Sequence, residues 1–181
     1  MTDGPVPARP VATTGRLRLR EFVPGDAAFV ATLFNDTAFL RFIGDRGVRS
    51  RADGARWIAK AAFAHYREHG FGLYVVERTE TGAALGVAGL IRRDGLQHPD
   101  LGFAFLPEHR RRGYATEAAR AVLRRAREHH GLDRILAITQ TDNTASIATL
   151  KTLGFAENGA TTLPGEKEPV ACYLWCAESA E

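Results

Sequence analysis

The segment from Asp100 to Gly131 constrains the fold of this chain more than any other. Its apolar run DLGFAFL stops at Pro107, which cannot donate a backbone hydrogen bond and which biases Leu106 towards extended geometry. The polar stretch EHRRRG follows, and small apolar residues then recur at helical spacing as far as His130, with Gly131 as a stop signal. The segment therefore predicts a strand that ends at Leu106, a break, and a long helix.

The rest of the chain predicts six further strands. RLRLREF has the period of an outer strand with one buried face. FGLYVVER and ALGVAGLIRR are joined by the short turn TETGA, as in a hairpin. RILAITQT predicts a strand, NTASIATLKTLG a short helix, and FAENGATTL with VACYLWCAE a closing pair of strands. Together these elements predict an α/β (α+β) domain with a mixed central sheet of about seven strands and helices on both faces.

Helices are also predicted between the first strand and the hairpin. Apolar residues recur at helical spacing over residues 29–34. The following stretch, NDTAFLRFIGDRG, is expected to be irregular and to line a pocket. Ser50 and Asp53 form a capping-box pattern, and the amphipathic stripe that follows predicts a helix that ends at Gly70.

Length and composition favour one domain. A chain of 181 residues with 45% hydrophobic content can bury a full core, and we expect a flexible N-terminal segment over 1–14 and a domain over 15–178. No apolar run approaches the ~20 residues of a membrane span, and the first residues lack the apolar block of a secretory signal, so we expect a cytoplasmic protein that binds no membrane. Cys172 and Cys176 are interpreted as buried reduced thiols, and no metal site is expected.

The arginines before the helix raise the question of a ligand. The first turn of a helix has amides without intrahelical partners and carries partial positive charge, so it attracts anions. Gly113 would let a ligand approach the backbone, and the neighbouring arginines add charge, which together suit a diphosphate. The glycine and lysine patterns of a P-loop or a dinucleotide fold are absent from this stretch. A solvated basic turn is the alternative reading.

Two motifs point to a family, and the first of them lies in this arginine-glycine stretch. Arg110-x-x-Gly113-x-Ala115 matches a signature of the GNAT superfamily of N-acetyltransferases, and NTASIATLKTLGF, from Asn143 to Phe155, resembles that superfamily's next motif. With the N-terminal LRLREFVPGD, the pattern is most similar to the branch that acetylates the N-termini of ribosomal proteins, which also includes acetyltransferases for small amines.

The resemblance implies that acetyl-CoA is the cosubstrate. In the family, the strand that carries GFAF splays from the next strand, ILAIT, and the pantetheine arm enters between them as a pseudo-strand. The backbone of the first strand pairs with that arm, an asparagine bonds it from the far side, and the amides of the arginine-glycine turn hold the pyrophosphate. The cofactor-binding residues implied are Phe103, Phe105, Leu106, Arg110, Arg111, Arg112, Gly113, Tyr114, Ala115, Thr116 and Asn143.

The catalytic residues follow from the same resemblance. Many relatives carry a tyrosine, as general acid, where this chain has Leu150, so that role does not transfer. Ser146 is then the candidate proton donor to the leaving thiolate, unless its hydroxyl only bonds the sulfur or caps the helix. Asp100 is the candidate base, with His98 or a water molecule as alternatives.

The acceptor is expected to be an amine of low pKa, because this site offers little base. We therefore expect an N-terminal α-amine of a peptide or protein, held near the aromatic residues Phe39, Phe42 and Tyr66. The alternatives are an acetyltransferase for a small amine such as a polyamine, amino sugar or antibiotic, and a non-catalytic acyl-CoA-binding module. The net charge of +3 is small, so no nucleic-acid partner is expected. The chain is expected to be a monomer or homodimer.

Overall fold

The computed structural model describes residues 8–177 and arranges them around one mixed sheet. The strands are β1 (Pro10–Thr13), β2 (Leu17–Arg20), β3 (Leu73–Arg78), β4 (Ala84–Ile91), β5 (Asp100–Phe105), β6 (Arg134–Thr139), β7 (Ala156–Thr161) and β8 (Val170–Cys176). The helices are α1 (Ala27–Phe34), α2 (Thr37–Phe42), α3 (Arg51–Trp57), α4 (Phe63–His69), α5 (Tyr114–His130) and α6 (Thr144–Thr152). Short 3-10 turns occupy Pro24–Asp26 and Pro107–His109, and a π-helical turn at Ile58–Ala62 joins α3 to α4.

The sheet follows the order β1-β2-β3-β4-β5-β6-β8-β7 within residues 8–177. It has one strand more than the sequence predicts, and that strand is β1, which pairs antiparallel with β2. Residues 10–13 therefore belong to the sheet, although they fall within the segment 1–14 that we expected to be flexible. Residues 1–7 of that segment lie outside the described part of the chain.

Strands β5 and β6 lie parallel but stay paired only where they begin. In residues 8–177 their register consists of one pair, Asp100 with Leu136, and the Leu136 N–H donates to the Pro99 carbonyl at 2.9 Å. Strand β6 pairs instead along its length with β8, from Arg134 to Thr139. The two strands therefore separate towards their carboxyl ends, which confirms the splayed pair expected from the sequence.

Helices cover both faces of the sheet, because consecutive strand residues point to opposite sides. Val76 and Ala88 belong to the apolar core beneath α5, which also contains Leu150 of α6. Val75 and Val87, their immediate neighbours in sequence, belong to a second core beneath α1 and the helix that contains the π-helical turn. This arrangement confirms the predicted mixed sheet with helices on both faces.

The helix predicted from Ser50 to Gly70 is present. The Ser50 side chain accepts from the Asp53 N–H at 3.2 Å, and the helix passes through the π-helical turn and ends at Gly70, whose φ is 74°. The stretch expected to be irregular instead contains α2. Asp36 caps this helix by accepting from the N–H groups of Ala38 and Phe39, each at 3.1 Å. Six residues are too few to show an amphipathic period, so the sequence pattern missed the helix.

The two cysteines differ in environment. Both are free, Cys172 is buried, and Cys176, at the end of β8, is exposed, so the prediction of two buried thiols is wrong for Cys176. No helix within residues 8–177 has the length and apolar character required to cross a membrane. Nor does any group of three or more His, Cys, Asp or Glu side chains in that range form a potential metal site.

Candidate active site

The opening between β5 and β6 exposes one backbone edge of β5. The Leu106 N–H donates to the Leu85 carbonyl of β4 at 3.0 Å, whereas the Pro99 carbonyl accepts from β6. Because backbone groups alternate in direction along a strand, the N–H and C=O groups of Phe103 and Phe105, beyond the one pair with β6, face the opening. The structure thus offers the N–H and C=O of Phe103 and the N–H of Phe105 at the opening, whereas the Leu106 amide is hydrogen-bonded to β4.

The turn after β5 presents a row of free amides. In residues 8–177, the backbone N–H groups of residues 111–116 have no hydrogen-bond acceptor. Gly113 begins α5 with a φ of 76°, and Arg111 has a φ of 59°, so both stand in the left-handed region. The Gly113 N-cap supplies no side-chain acceptor, which leaves the first turn of α5 open to an anion.

The three arginines of this turn have different roles. Within the described residues, the exposed side chains of Arg111 and Arg112 make no ion pair. Arg110 is committed: its Nε donates to the Phe105 carbonyl at 2.9 Å, its Nη2 pairs with Asp36, and its own N–H donates to the Pro107 carbonyl. The backbone N–H of Arg110 is therefore already hydrogen-bonded and is not available to a cofactor. The Arg110 side chain contacts the residue that caps α2 instead.

An arginine from outside the turn, Arg16, also supports it, and the sequence analysis did not identify this residue. Arg16 donates from Nε to the Glu117 carboxylate at 2.7 Å and from Nη1 to the Arg112 carbonyl at 3.0 Å. The Thr14 hydroxyl also donates to Glu117, at 2.6 Å. Burial alone would raise the pKa of Glu117, but the hydrogen bonds from Thr14 and Arg16 lower it. The first turn of α5 is thereby fastened to the start of β2.

Tyr114 contributes its backbone to the turn rather than its side chain. Its ring is buried, and its hydroxyl accepts from Arg78 Nη2 at 2.7 Å. The Arg16 guanidinium carbon lies 4.7 Å from the centre of the ring, within cation–π distance. The predicted contact with a cofactor is therefore restricted to the amide of Tyr114, which adjoins those of Ala115 and Thr116.

Asn143 and Ser146 lie on the β6 side of the opening. Residues 140–146 follow the carboxyl end of β6, just as the turn at 111–116 follows the carboxyl end of parallel β5. Asn143 Oδ1 accepts from the Ser146 N–H at 3.2 Å, so Asn143 is the cap of α6. The half-buried Ser146 hydroxyl makes no hydrogen bond with another described residue. The side-chain cap of α6 is thus Asn143 rather than Ser146. Leu150 is buried in the core.

Asp100 lies at the base of the opening, where β5 and β6 begin to diverge. Its side chain is only 2% exposed, and Arg93 Nε donates to both carboxylate oxygens, at 2.9 Å and 3.1 Å. Burial raises the pKa of Asp100 to about 6, against the opposing effect of Arg93. A carboxyl group with this pKa can exchange a proton near neutral pH. His98, the alternative base, is half-buried two residues earlier.

The three aromatic candidates for acceptor binding do not share one surface. Phe39 is buried and stacks on Phe34 with ring centres 4.4 Å apart. The Tyr66 hydroxyl donates to the Leu73 carbonyl, and its ring stacks on Tyr74. Both residues therefore pack the core rather than line a pocket, because aromatic residue type alone does not distinguish the two locations. Phe42 and Tyr66 are both half-buried, but the hydroxyl and ring of Tyr66 are already engaged by Leu73 and Tyr74.

Comparison with known proteins agrees with this geometry. Residues 16–156 match the model of the acetyltransferase (GNAT) domain family. The uncharacterized N-acetyltransferase YoaA of Bacillus subtilis is 28% identical over 151 residues, which cover 83% of this chain and 85% of the relative.

Solved structures share the fold. A GNAT-family acetyltransferase from Bacillus anthracis superimposes with a TM-score of 0.76 at 24% identity, over 91% of this chain and 96% of the other. RimL, a ribosomal L7/L12 alpha-N-protein acetyltransferase solved with coenzyme A, gives a TM-score of 0.79 at 16% identity, over 95% of this chain and all of its own. With the family model matched over most of its length, this chain belongs to the GNAT acetyltransferases and is an acyltransferase.

Proposed function

We propose that this protein transfers the acetyl group of acetyl-CoA to the N-terminal α-amine of a peptide or protein, by direct attack in a ternary complex. The observation that carries the choice of acetyl-CoA is the row of unpaired amides over residues 111–116, at the carboxyl end of a strand whose edge is also unpaired. The two phosphate groups of the pyrophosphate would accept hydrogen bonds from these amides. The pantetheine arm, which carries amide groups, would pair with the unpaired edge of the strand. The residues present therefore fit the cosubstrate.

The unpaired strand edge also orients the reacting carbonyl. The thioester supplies the acetyl group, and the N–H of Phe103 faces the opening, where it can donate to the thioester oxygen as negative charge develops there. The Phe105 carbonyl already accepts from Arg110, so at this end of the edge only the Phe105 N–H remains for pairing. Placement of the amine against a held thioester supplies most of the required rate enhancement.

Proton transfer falls to two side chains on opposite sides of the opening. As the acceptor nitrogen forms its bond to the carbonyl carbon and the C–S bond breaks, the nitrogen loses a proton and the sulfur gains one. Asp100, or a water molecule that Asp100 orients, accepts the first proton, and the unbonded Ser146 hydroxyl donates to the sulfur. The hydroxyl recovers a proton from solvent.

The raised pKa of Asp100 favours an α-amine as acceptor. An α-amine has a pKa near ~7.8 and a lysine side chain near ~10.4, so at pH ~7.4 about a quarter of the former is neutral, against about one part in a thousand of the latter. The difference is worth about 3.5 kcal/mol of deprotonation. The pKa of Asp100, about 6, is within about two pH units of the pKa of an α-amine but more than four units below that of a lysine side chain.

An acceptor chain end would contact α2. Leu40 and Ile43 are the large apolar residues that residues 8–177 leave most open to solvent, each 37% exposed, and they lie on either side of the half-buried Phe42. This surface suits the first side chains of a polypeptide better than it suits a small polycation. The RimL structure, named for an alpha-N-protein acetyltransferase, indicates that this fold accommodates such a substrate.

The decisive experiment is competition within one peptide that carries a free N-terminus and an internal lysine. Coenzyme A release is followed by thiol detection, products are mapped by mass spectrometry at several pH values, and the N-terminally blocked peptide is the control. Modification of the N-terminus, with loss of activity on the blocked peptide, supports the proposal. Exclusive lysine modification at neutral pH contradicts it.

Two other outcomes select the alternatives. Activity on polyamines or amino sugars alone would assign the protein to small-amine acetylation. Tight coenzyme A binding without thiol release on peptides, polyamines or amino sugars would identify a non-catalytic acyl-CoA-binding module.

A further inference from the structure

One ion pair links the turn at residues 111–116 to helix α2. The Nη2 of Arg110 pairs with Oδ2 of Asp36, and the same oxygen accepts from two amides in the first turn of α2, those of Ala38 and Phe39. The Asp36 side chain is 10% exposed and that of Arg110 is 37% exposed, so the link is largely shielded from solvent. A single carboxylate thus holds both the start of α2 and the residue that precedes the free amides.

The other end of α2 is tied to the opposite side of the opening. Arg41 Nη2 lies 2.8 Å from Oδ2 of Asp142, which directly precedes the cap residue of α6. Both side chains of this second pair are mostly exposed, so it is more strongly screened than the first. Residues 36 and 41 are about 7.5 Å apart along a helix, so this short element reaches from the β5 side of the opening to the β6 side.

We infer that the Asp36–Arg110 pair is a positioning element that transmits occupancy of the turn at residues 111–116 to helix α2. The inference rests on the proposed binding of acetyl-CoA at that turn. Arg110 donates both to the strand edge, at the Phe105 carbonyl, and to Asp36 at the start of α2, so it connects the strand edge to the helix. When an anion orders the amides that begin one residue later, Arg110 loses conformational freedom, and α2 loses it as well.

This connection makes binding of the two substrates interdependent. Helix α2 carries Leu40, and Ile43 directly follows its last residue; these are the exposed apolar side chains proposed to contact the acceptor. If the cosubstrate orders α2, the acceptor meets a helix that is already placed, and each substrate strengthens binding of the other by the same factor. The ion pair therefore couples the two binding sites without setting which substrate binds first.

The test measures amide hydrogen exchange over residues 36–43 and 111–116, with and without coenzyme A. In the wild type, coenzyme A should slow exchange in both segments, by roughly fivefold or more over 36–43. The variant Asp36→Asn keeps an oxygen that caps α2, because Asn and Asp are equally good caps, but loses the charge that holds Arg110. In this variant coenzyme A should still slow exchange over 111–116 but should leave 36–43 unchanged.

Further variants test whether the Asp36–Arg110 ion pair itself, rather than the loss of any surface charge, transmits the response to residues 36–43. Arg110→Gln and the double variant Asp36→Asn/Arg110→Gln should each lose the response over 36–43 to the same extent, as expected for one shared interaction. Asp133→Asn removes an exposed carboxylate with no ion pair among residues 8–177, and it should respond like the wild type.

The outcomes distinguish this inference from the proposed function. If coenzyme A fails to slow exchange over 111–116 in the wild type, the proposed cofactor site is wrong. If it slows exchange over 111–116 but not over 36–43 in the wild type, or slows 36–43 equally in Asp36→Asn, the site stands and the positioning role of the ion pair is overturned.

Discussion

Arg93 Nε donates to both carboxylate oxygens of Asp100, at 2.9 Å and 3.1 Å, at the point where β5 and β6 separate. Burial raises the pKa of that carboxyl to about 6, whereas Arg93 lowers it. The balance leaves Asp100 deprotonated above pH ~6 and held in one orientation at the base of the opening.

We expect kcat to rise with pH through an apparent pKa near 6 if Asp100 takes the proton from the acceptor, because only its deprotonated form is active. Asp100→Asn should remove this acidic limb and lower kcat at pH 8 by about 100-fold. The measurement is thiol release at saturating acetyl-CoA between pH 5 and 9. An unchanged limb in the variant would transfer the base role to His98 or to water.

Arg93→Gln should move the acidic limb to higher pH. The guanidinium stabilises the ionised carboxylate, so its removal leaves the effect of burial less opposed and the pKa of Asp100 rises further above 6. The same pH series measures the displacement. Arg92→Gln is a matched control, because Arg92 Nη1 donates to the Gln97 carbonyl rather than to Asp100. A displacement towards lower pH, or an equal one in both variants, would contradict the assignment.

The same carboxyl group should affect stability in a defined direction. Its pKa is raised from the ordinary 3.8 in the folded state, so between pH ~4 and ~6 the folded chain holds a proton that the unfolded chain has lost. The contribution of Asp100 to the free energy of unfolding therefore falls as pH rises through that window, by roughly 1–3 kcal/mol. Relative to Asp100→Asn, which cannot titrate, the wild type should lose Tm from pH 4 to 7. Parallel Tm curves would exclude the raised pKa.

The sequence predicts the fold correctly wherever a local signal marks the end of a helix or strand. Pro107 ended β5, Gly113 and Gly131 bounded α5, and the apolar runs on either side of TETGA gave the β3–β4 hairpin. The row of free amides could also be predicted, because it follows from a glycine at a helix start.

The supports of the site were not accessible in this way. Arg110 pairs with Asp36 across 74 positions, and Arg16 with Glu117 across 101, and no periodicity connects residues so far apart in sequence. The role of Tyr66 also depends on tertiary packing. Its hydroxyl can donate to the Leu73 carbonyl only when the helix is packed on the sheet. Local pattern thus locates the ligand-binding backbone but not the side chains that hold it in place.

Gly113→Ala should weaken coenzyme A binding by about tenfold or more. A Cβ at a φ of 76° is strained, and it would project from an exposed turn whose amides must approach the phosphates closely. Gly131→Ala is the matched control, because Gly131 ends the same helix with a φ of 61° and has nothing within 4 Å of its added Cβ. Both variants should lose about 1 kcal/mol of stability. Equal calorimetric affinities for coenzyme A would disprove the site.

Ser146→Ala should lower kcat by about tenfold to 100-fold while it leaves the affinity for coenzyme A within about twofold. The reason is that the Ser146 hydroxyl has no hydrogen bond within residues 8–177, whereas its amide, which the substitution keeps, holds the Asn143 cap. A donor to the departing sulfur acts chiefly in the transition state, so its loss appears in kcat rather than in binding. Thr149→Ala is a suitable control, because that hydroxyl, one turn further along α6, donates to the Ala145 carbonyl at 3.0 Å. Stopped-flow thiol detection and calorimetry on the two variants separate the effects. An unchanged kcat in Ser146→Ala would assign protonation of the sulfur to water and leave Ser146 with no part in the reaction.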